Sequence, residues 1–204
     1  MYDIEITNAT IVDGLGSEAY EGNIYVKDGE ISTITYKETF EASVSINASG
    51  KIVTPGFIDL HTHSDISFLL DSTAQSKVRQ GVTLELIGNC GLSLCAPLIG
   101  DARTMFDTWV SDHTDSYDPT WTDYAGYIEA SKKAKATVNI AFQIGHASLR
   151  LAVMGQDDRS PTAEELTEMK RLAGEALDAG ALGFSTGLFY SPGYYARTDE
   201  VIAI

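Results

Sequence analysis

The chain has 204 residues, 44% of them hydrophobic, enough to bury a real core in one large domain or in a small domain beside part of a larger one. Its 14 basic and 29 acidic residues leave a formal charge of −15, which argues against nucleic acid or an anionic membrane surface as partner. No apolar run approaches the ~20 residues of a membrane span, the N-terminus lacks the basic start and apolar centre of a secretory signal, and the only cysteines are Cys90 and Cys95, so the expectation is a reducing, cytoplasmic setting.

Residues 2 to 54 read as β-structure. Tyr2 to Asp13 alternates apolar and polar, Asn23 to Val26 does so again, and Asp28-Gly29 is a tight hairpin turn leading into Ile31 to Tyr36. The pattern predicts antiparallel strands, with no catalytic residue before Asp59.

The next stretch carries the chemistry. Val53, Phe57, Ile58 and Leu60 form a β-branched and aromatic run bent at Pro55-Gly56, which predicts a strand buried on both faces. It ends in His61-Thr62-His63, and side chains at i and i+2 of a strand share a face, so two imidazoles can converge on one metal ion. Asp59 and Asp65 flank the pair and are placed to orient or supplement it. A second buried strand is predicted from Gly81 to Gly88, closing on Asn89-Cys90-Gly91, where glycines on both sides let the backbone turn sharply. Ser72 to Gln80 has helical spacing and the length of a crossover, so the two strands should be parallel neighbours, with His61, His63 and Cys90 at their carboxyl ends. A disulfide between Cys90 and Cys95 would remove that thiolate and is not expected.

Downstream, Asp101 to Tyr124 is of mixed composition and reads as a long loop with short helical pieces, and its His113 sits in a polar, solvated context with no metal role expected. Thr122 to Ala136 is a helix with lysines at its end, followed by a third strand over Thr137 to Ile144. Gly145-His146 then stands where a barrel strand presents residues to its site, although a histidine satisfied by neighbouring groups fits equally. Thr162-x-x-Glu165 is a capping box opening an amphipathic helix through Met169 and Leu177, which Gly180 ends. Ala181 to Thr186 is a fourth strand, and the aromatic loop Gly187 to Tyr195 is placed to line a pocket through Phe189 and Tyr190 or else to pack on its rim. Thr198 is expected to cap a further helix that contains Ile204.

PGFIDLHTHSD, followed by GVTLELIGNCGLSLCAP, resembles the amidohydrolase superfamily, specifically its N-acyl-D-amino-acid deacylase (D-aminoacylase) branch. The His-x-His strand is shared across that superfamily, whereas Gly-Asn-Cys-Gly marks the branch in which a cysteine stands where most members bridge two metals with a carboxylated lysine. The resemblance implies an α/β fold: residues 1–54 as part of a small N-terminal β-sandwich, and 55–204 as the first half, about four βα units, of a (β/α)8 barrel. It further implies one tightly held Zn2+ with Cys90 as its thiolate ligand, and His61 and His63 as a pair able to hold a second, weaker divalent metal. The substrate would be a small N-acyl-D-amino acid, hydrolysed to a carboxylate and a D-amino acid, with His146, Phe189 and Tyr190 as substrate-side or supporting residues.

By the same resemblance the remaining zinc histidines and the catalytic aspartate come from later barrel strands, so no general base is expected up to Ile204. The chain alone is expected to be inactive and to need the missing C-terminal half. A cyclic-amide hydrolase such as a dihydroorotase or hydantoinase is the alternative enzyme, but it calls for a lysine near the fourth strand, and Ala181 to Thr186 has none. A non-catalytic binding or scaffold fragment of the same fold is the other alternative, and metal content separates it from the enzyme.

Overall fold

The computed structural model describes residues 1–114 and 117–204, without the side chain of His113, so the reading of that histidine lies outside the described residues. The chain divides into two compact units, Met1–Gly56 and Phe57–Ile204.

The first unit is one five-stranded sheet in the order β3-β2-β1-β4, with β5 also on β1. Strands β1 (Tyr2–Ile11), β2 (Tyr20–Lys27) and β3 (Glu30–Thr35) are antiparallel, as their alternation predicts. Asp28 and Gly29 turn the hairpin with φ of 53° and 82°. At the other edge of β1 lie two strands that the alternation did not single out, β4 (Ala42–Asn47) and β5 (Ile52–Val53), and both pair parallel to it. β3 already runs with β1, and the intervening segment carries the chain to the far edge without reversing it. Asn8, at φ 57° in the irregularity between Ile6 and Ala9, separates the stretch that pairs β4 from the stretch that pairs β5. A small core of Ala9, Ile11, Ile24 and Ala48 lies on one face.

The second unit is a half-barrel of βα units: a parallel sheet ordered β6 (Phe57–Asp59), β7 (Val82–Ile87), β8 (Asn139–Gly145), β9 (Gly183–Ser185). The β6–β7 crossover contains two single-turn helices, α1 (Ser67–Leu70) and α2 (Gln75–Val78). Then come α3 (Gly100–His113), α4 (Tyr124–Ala134), α5 (His146–Val153), α6 (Ala163–Asp178) and α7 (Thr198–Ala203). One core runs between sheet and helices through Ile87, Phe106, Tyr127, Ile144, Leu149 and Met169. The α6 capping box forms in full, with Thr162 and Glu165 exchanging side-chain and backbone bonds.

Several elements differ from the sequence reading. The first part of the stretch read as a loop with short helical pieces is one 14-residue helix, α3, because Ala102, Phe106 and Val110 recur every four residues and all are buried, and the described residues from 117 to α4 are irregular. β6 is an edge strand, not a strand buried on both faces: Phe57 and Ile58 are each 59% exposed and Leu60 66%. Arg197, not Thr198, occupies the N-cap of α7. Leu177 falls on the expected apolar stripe of α6 yet is 48% exposed. No helix among the described residues is long and apolar enough to cross a membrane.

Candidate metal centre

Among the described residues, a single group of three or more histidine, cysteine or acidic side chains is arranged to hold a metal ion: His61, His63 and Cys90, whose ligand atoms all lie within 4.8 Å of one another. His61 Nε2 is 3.2 Å from Cys90 Sγ. The two imidazole rings stand edge to face, centroids 5.6 Å apart. Two donors on one tetrahedral zinc lie about 3.5 Å apart given bonds of roughly 2.0 to 2.3 Å, so closure on an ion asks for movements of about an ångström at most from side chains that are exposed or half-buried. The donor set, two imidazoles and a potential thiolate, suits zinc or a similar borderline-soft divalent ion.

The backbone beneath this group is tightly determined. Gly88 turns the chain out of β7 at φ 78°, and a Cβ there would lie 2.2 Å from the Gln143 carbonyl oxygen of β8, so only glycine fits. Cys90 itself sits at φ 56°, a conformation that costs a non-glycine residue about 1 kcal/mol or more and is commonly kept where a site needs it. On its far side Gly187 presses on the Cys90 carbonyl so closely that a Cβ would stand 1.8 Å from the oxygen. Ser185 completes the support, donating to the Gly88 carbonyl and accepting the Gly91 N–H. Both cysteines are free thiols; Cys95 is buried, and burial pushes its pKa well up, so it stays neutral.

Two residues that the sequence reading passed over hold the histidine segment. Asn89, 6% exposed, donates its amide to the carbonyls of Thr62 (3.1 Å) and Leu86 (2.7 Å), tying the residue between the histidines to the end of β7. Lys77, on α2, reaches Asp59 Oδ2 at 2.7 Å, Thr62 Oγ1 at 3.2 Å and the buried Glu85 at 3.7 Å. Burial alone would lower the pKa of Lys77, but the Asp59 and Glu85 carboxylates outweigh it and hold the ammonium charged. A lone lysine inside an amphipathic crossover was the available signal.

Asp59 therefore does not orient an imidazole. Its carboxylate accepts from Lys77 and from the His61 backbone N–H, and both lower its pKa. Asp65 does not reach the histidines either: it is 1% exposed, its Oδ2 has no partner, and burial raises its pKa to about 7. Partial burial, then the charge of His61, lowers the pKa of His63, which favours the neutral ring that a metal requires.

The other sequence candidates lie apart from this group. His146 is fully buried at the start of α5, and its Nε2 meets Glu200 Oε1 at 2.8 Å; the ring is closed off from solvent. Phe189 and Tyr190 are 84% and 51% exposed on the loop that leaves Gly187, their rings edge to face.

The amidohydrolase family pattern matches residues 45–200. A D-aminoacylase of Alcaligenes xylosoxydans xylosoxydans is 37% identical over 203 residues, covering all of this chain and 41% of that protein. Among solved structures, a D-aminoacylase described as defining a novel subset of amidohydrolases superimposes with a TM-score of 0.89 at 35% identity, covering 100% of this chain and 42% of that one. The N-acyl-D-glutamate deacylase of Bordetella bronchiseptica, solved with zinc and a phosphonate mimic of the tetrahedral intermediate, does so at 0.84 and 35%, over 99% and 42%. The chain spans about two-fifths of the length of these relatives. With a family match over most of its length and a half-barrel that places two histidines and a cysteine at adjoining strand ends, the chain belongs to the amidohydrolase family.

Proposed function

We propose that the chain is the N-terminal part of a zinc-dependent deacylase that hydrolyses the amide bond of N-acyl-D-amino acids to a carboxylate and a free D-amino acid. The observation that carries this reading is the meeting of Cys90 with His61 and His63 across β6 and β7, in a chain similar along its whole length to D-aminoacylase. A divalent metal held there would activate water and polarise the amide carbonyl. Around it, this chain's own residues divide the work. Cys90 would contribute a soft thiolate for the tighter metal, His61 and His63 would contribute neutral donors, and Asn89 and Lys77 fix the histidine segment.

The remaining metal ligands and the general base are assigned to sequence outside these 204 residues, and residues 1 to 204 alone are proposed to be without turnover. The substrate is a small molecule, and the −15 charge speaks against nucleic acid. A cytoplasmic location is part of the same proposal, resting on the paucity of cysteines and the two free thiols.

The test is an assay on the intact protein reconstituted with zinc, following release of free amino acid from N-acetyl-D- and N-acetyl-L-amino acids. D-selective release that disappears with chelation is the expected result. Absence of release with zinc bound stoichiometrically, or equal release from both enantiomers, would contradict the assignment.

A further inference from the structure

Outside the metal centre, the half-barrel buries a charged cluster that the proposed chemistry does not use. Arg150 and His146 have no exposed surface and Glu200 only 5%. The Arg150 guanidinium donates through Nη1 to both Glu200 oxygens, at 2.8 and 2.7 Å, and through Nη2 to the carbonyls of Asp157 (3.2 Å) and Arg159 (2.9 Å). Burial keeps the His146 ring neutral despite Glu200, so Nε2–H donates to the carboxylate and Nδ1 is left without a partner. Arg150 Nε is also unpartnered. A buried ion pair with orphaned atoms is a poor source of stability, because desolvation offsets most of the attraction, but it admits only one arrangement of its partners.

The arrangement it selects connects two places that matter. α5 starts at His146, and its first amides, from Ala147 and Ser148, donate to the Gly91 carbonyl at 2.8 and 3.2 Å, so the helix start grips the turn bearing Cys90. One turn later the same helix holds Glu200 through Arg150. Glu200 lies in the first turn of α7, immediately after the aromatic loop Gly187–Tyr195. The other end of that loop, Gly187, is pressed on the Cys90 carbonyl, and Gly193 stands against both Gly187 and Ala147. The loop is thus fastened at both ends to elements that also fix Cys90.

We propose that His146, Arg150 and Glu200 are positioning residues that hold the aromatic loop 187–195 in register with the Cys90 turn. In catalytic terms this rests on the deacylase reading, with the loop as the wall presented to substrate, but the mechanical claim stands on the contacts alone.

The experiment compares wild-type intact protein with Glu200→Gln, which preserves shape and removes the charge. Hydrogen exchange of peptides covering 187–195 should accelerate about a hundredfold or more, the scale of leaving one charge of a buried pair unpaired. Thiolate-to-cobalt absorption, the readout of Cys90 in cobalt-loaded protein, should keep its intensity and midpoint within about twofold by the same reasoning. Where activity is present, KM should rise with kcat retained, since a loosened wall weakens binding before chemistry. Glu200→Asp, which keeps the charge, should restore most of the loop protection, and Arg150→Met should reproduce the Gln variant. If Glu200→Gln does not fold, Glu200→Asp and Arg150→Lys are read in its place, with a smaller acceleration confined to 187–195 expected. Exchange unchanged at 187–195, or accelerated equally throughout residues 57 to 204, would overturn the proposal. Loop exchange changing as expected in a protein that releases no D-amino acid would leave this inference standing and sink the deacylase reading instead.

Discussion

Histidines follow two strands of the half-barrel, and the two places could hardly differ more. After β6 the chain runs as irregular backbone through His61 and His63 before α1 begins at Ser67, so both imidazoles remain at the surface, within reach of Cys90. After β8 the helix α5 starts at once, and His146, its first residue, is turned into the interior with no exposed surface. Position at the carboxyl end of a barrel strand is therefore not enough to make a histidine available. The segment after the strand decides it: a loop leaves the ring free to take a metal, and an immediate helix folds the ring under its own first turn. The electrostatic consequences diverge accordingly, because His63 shares an open space with another imidazole and a thiol while His146 must be neutral and lean on Glu200.

The largest expected effect on function sharpens the first half of that comparison. In the complete enzyme Cys90→Ala should abolish zinc retention and turnover, because it removes the one soft anionic donor of the group, whereas His61→Ala should leave the tighter metal largely in place. Metal analysis of the two purified variants checks this, and equal loss in both would mean that the roles are misassigned.

The second half is tested by stability. Arg150→Ala strands the Glu200 carboxylate in the interior and should cost about 3 to 5 kcal/mol in urea denaturation, while His61→Ala, at an exposed position, should stay within about 0.5 kcal/mol. Comparable losses would erase the distinction between the two places.

Next in size is Gly187→Ala, where a methyl would have to occupy the position of the Cys90 carbonyl. A destabilisation of roughly 1 to 3 kcal/mol is expected from forced backbone movement, together with a measurable loss of metal affinity because Cys90 is displaced. A stable variant with unaltered metal binding would show that the turn is looser than its contacts imply.

The smallest effect lies far from both sites. Thr162→Ala should cost about 1 kcal/mol through the lost cap of α6. The Glu165 carboxylate of that box, its pKa lowered to about 2 first by Arg159 and then by the Thr162 N–H, has a folded value below its unfolded one. Its contribution is therefore full above the ordinary glutamate range and is lost as pH falls through about 2. In Glu165→Gln the acid limb of the stability profile should flatten slightly, with no change above neutrality.

Much of this was legible in the residues, and the exceptions have physical reasons. The capping box, the Asp28-Gly29 hairpin and the Gly-Asn-Cys-Gly turn are local patterns whose geometry is set by a few adjacent side chains, and the parallel β6–β7 pair was legible from a connection long enough for a crossover. The parallel edge formed by β4 and β5 was not legible, because pairing direction depends on where a short connection carries the chain. α3 was hidden because polar residues such as Asp101, Thr104 and Asp107 outnumber the apolar ones, diluting the buried Ala102, Phe106 and Val110 stripe beside which Trp109 packs on the core. In α5, His146 and Arg150 lie on an apolar run, which reads as a site when the partner, Glu200, is 54 and 50 positions away. Lys77 likewise shows its role only when Asp59, Thr62 and Glu85 are brought around it.

The central claim is that His61, His63 and Cys90 serve one metal centre, and X-ray absorption at the zinc edge of the intact, zinc-loaded protein tests it most directly. The account predicts a shell with sulfur at about 2.3 Å alongside nitrogen or oxygen at about 2.0 Å, with imidazole scattering that diminishes in a His61→Ala/His63→Ala double variant while the sulfur persists, and with zinc lost altogether from Cys90→Ala. A shell of nitrogen and oxygen alone, or a sulfur contribution that survives Cys90→Ala, would contradict it.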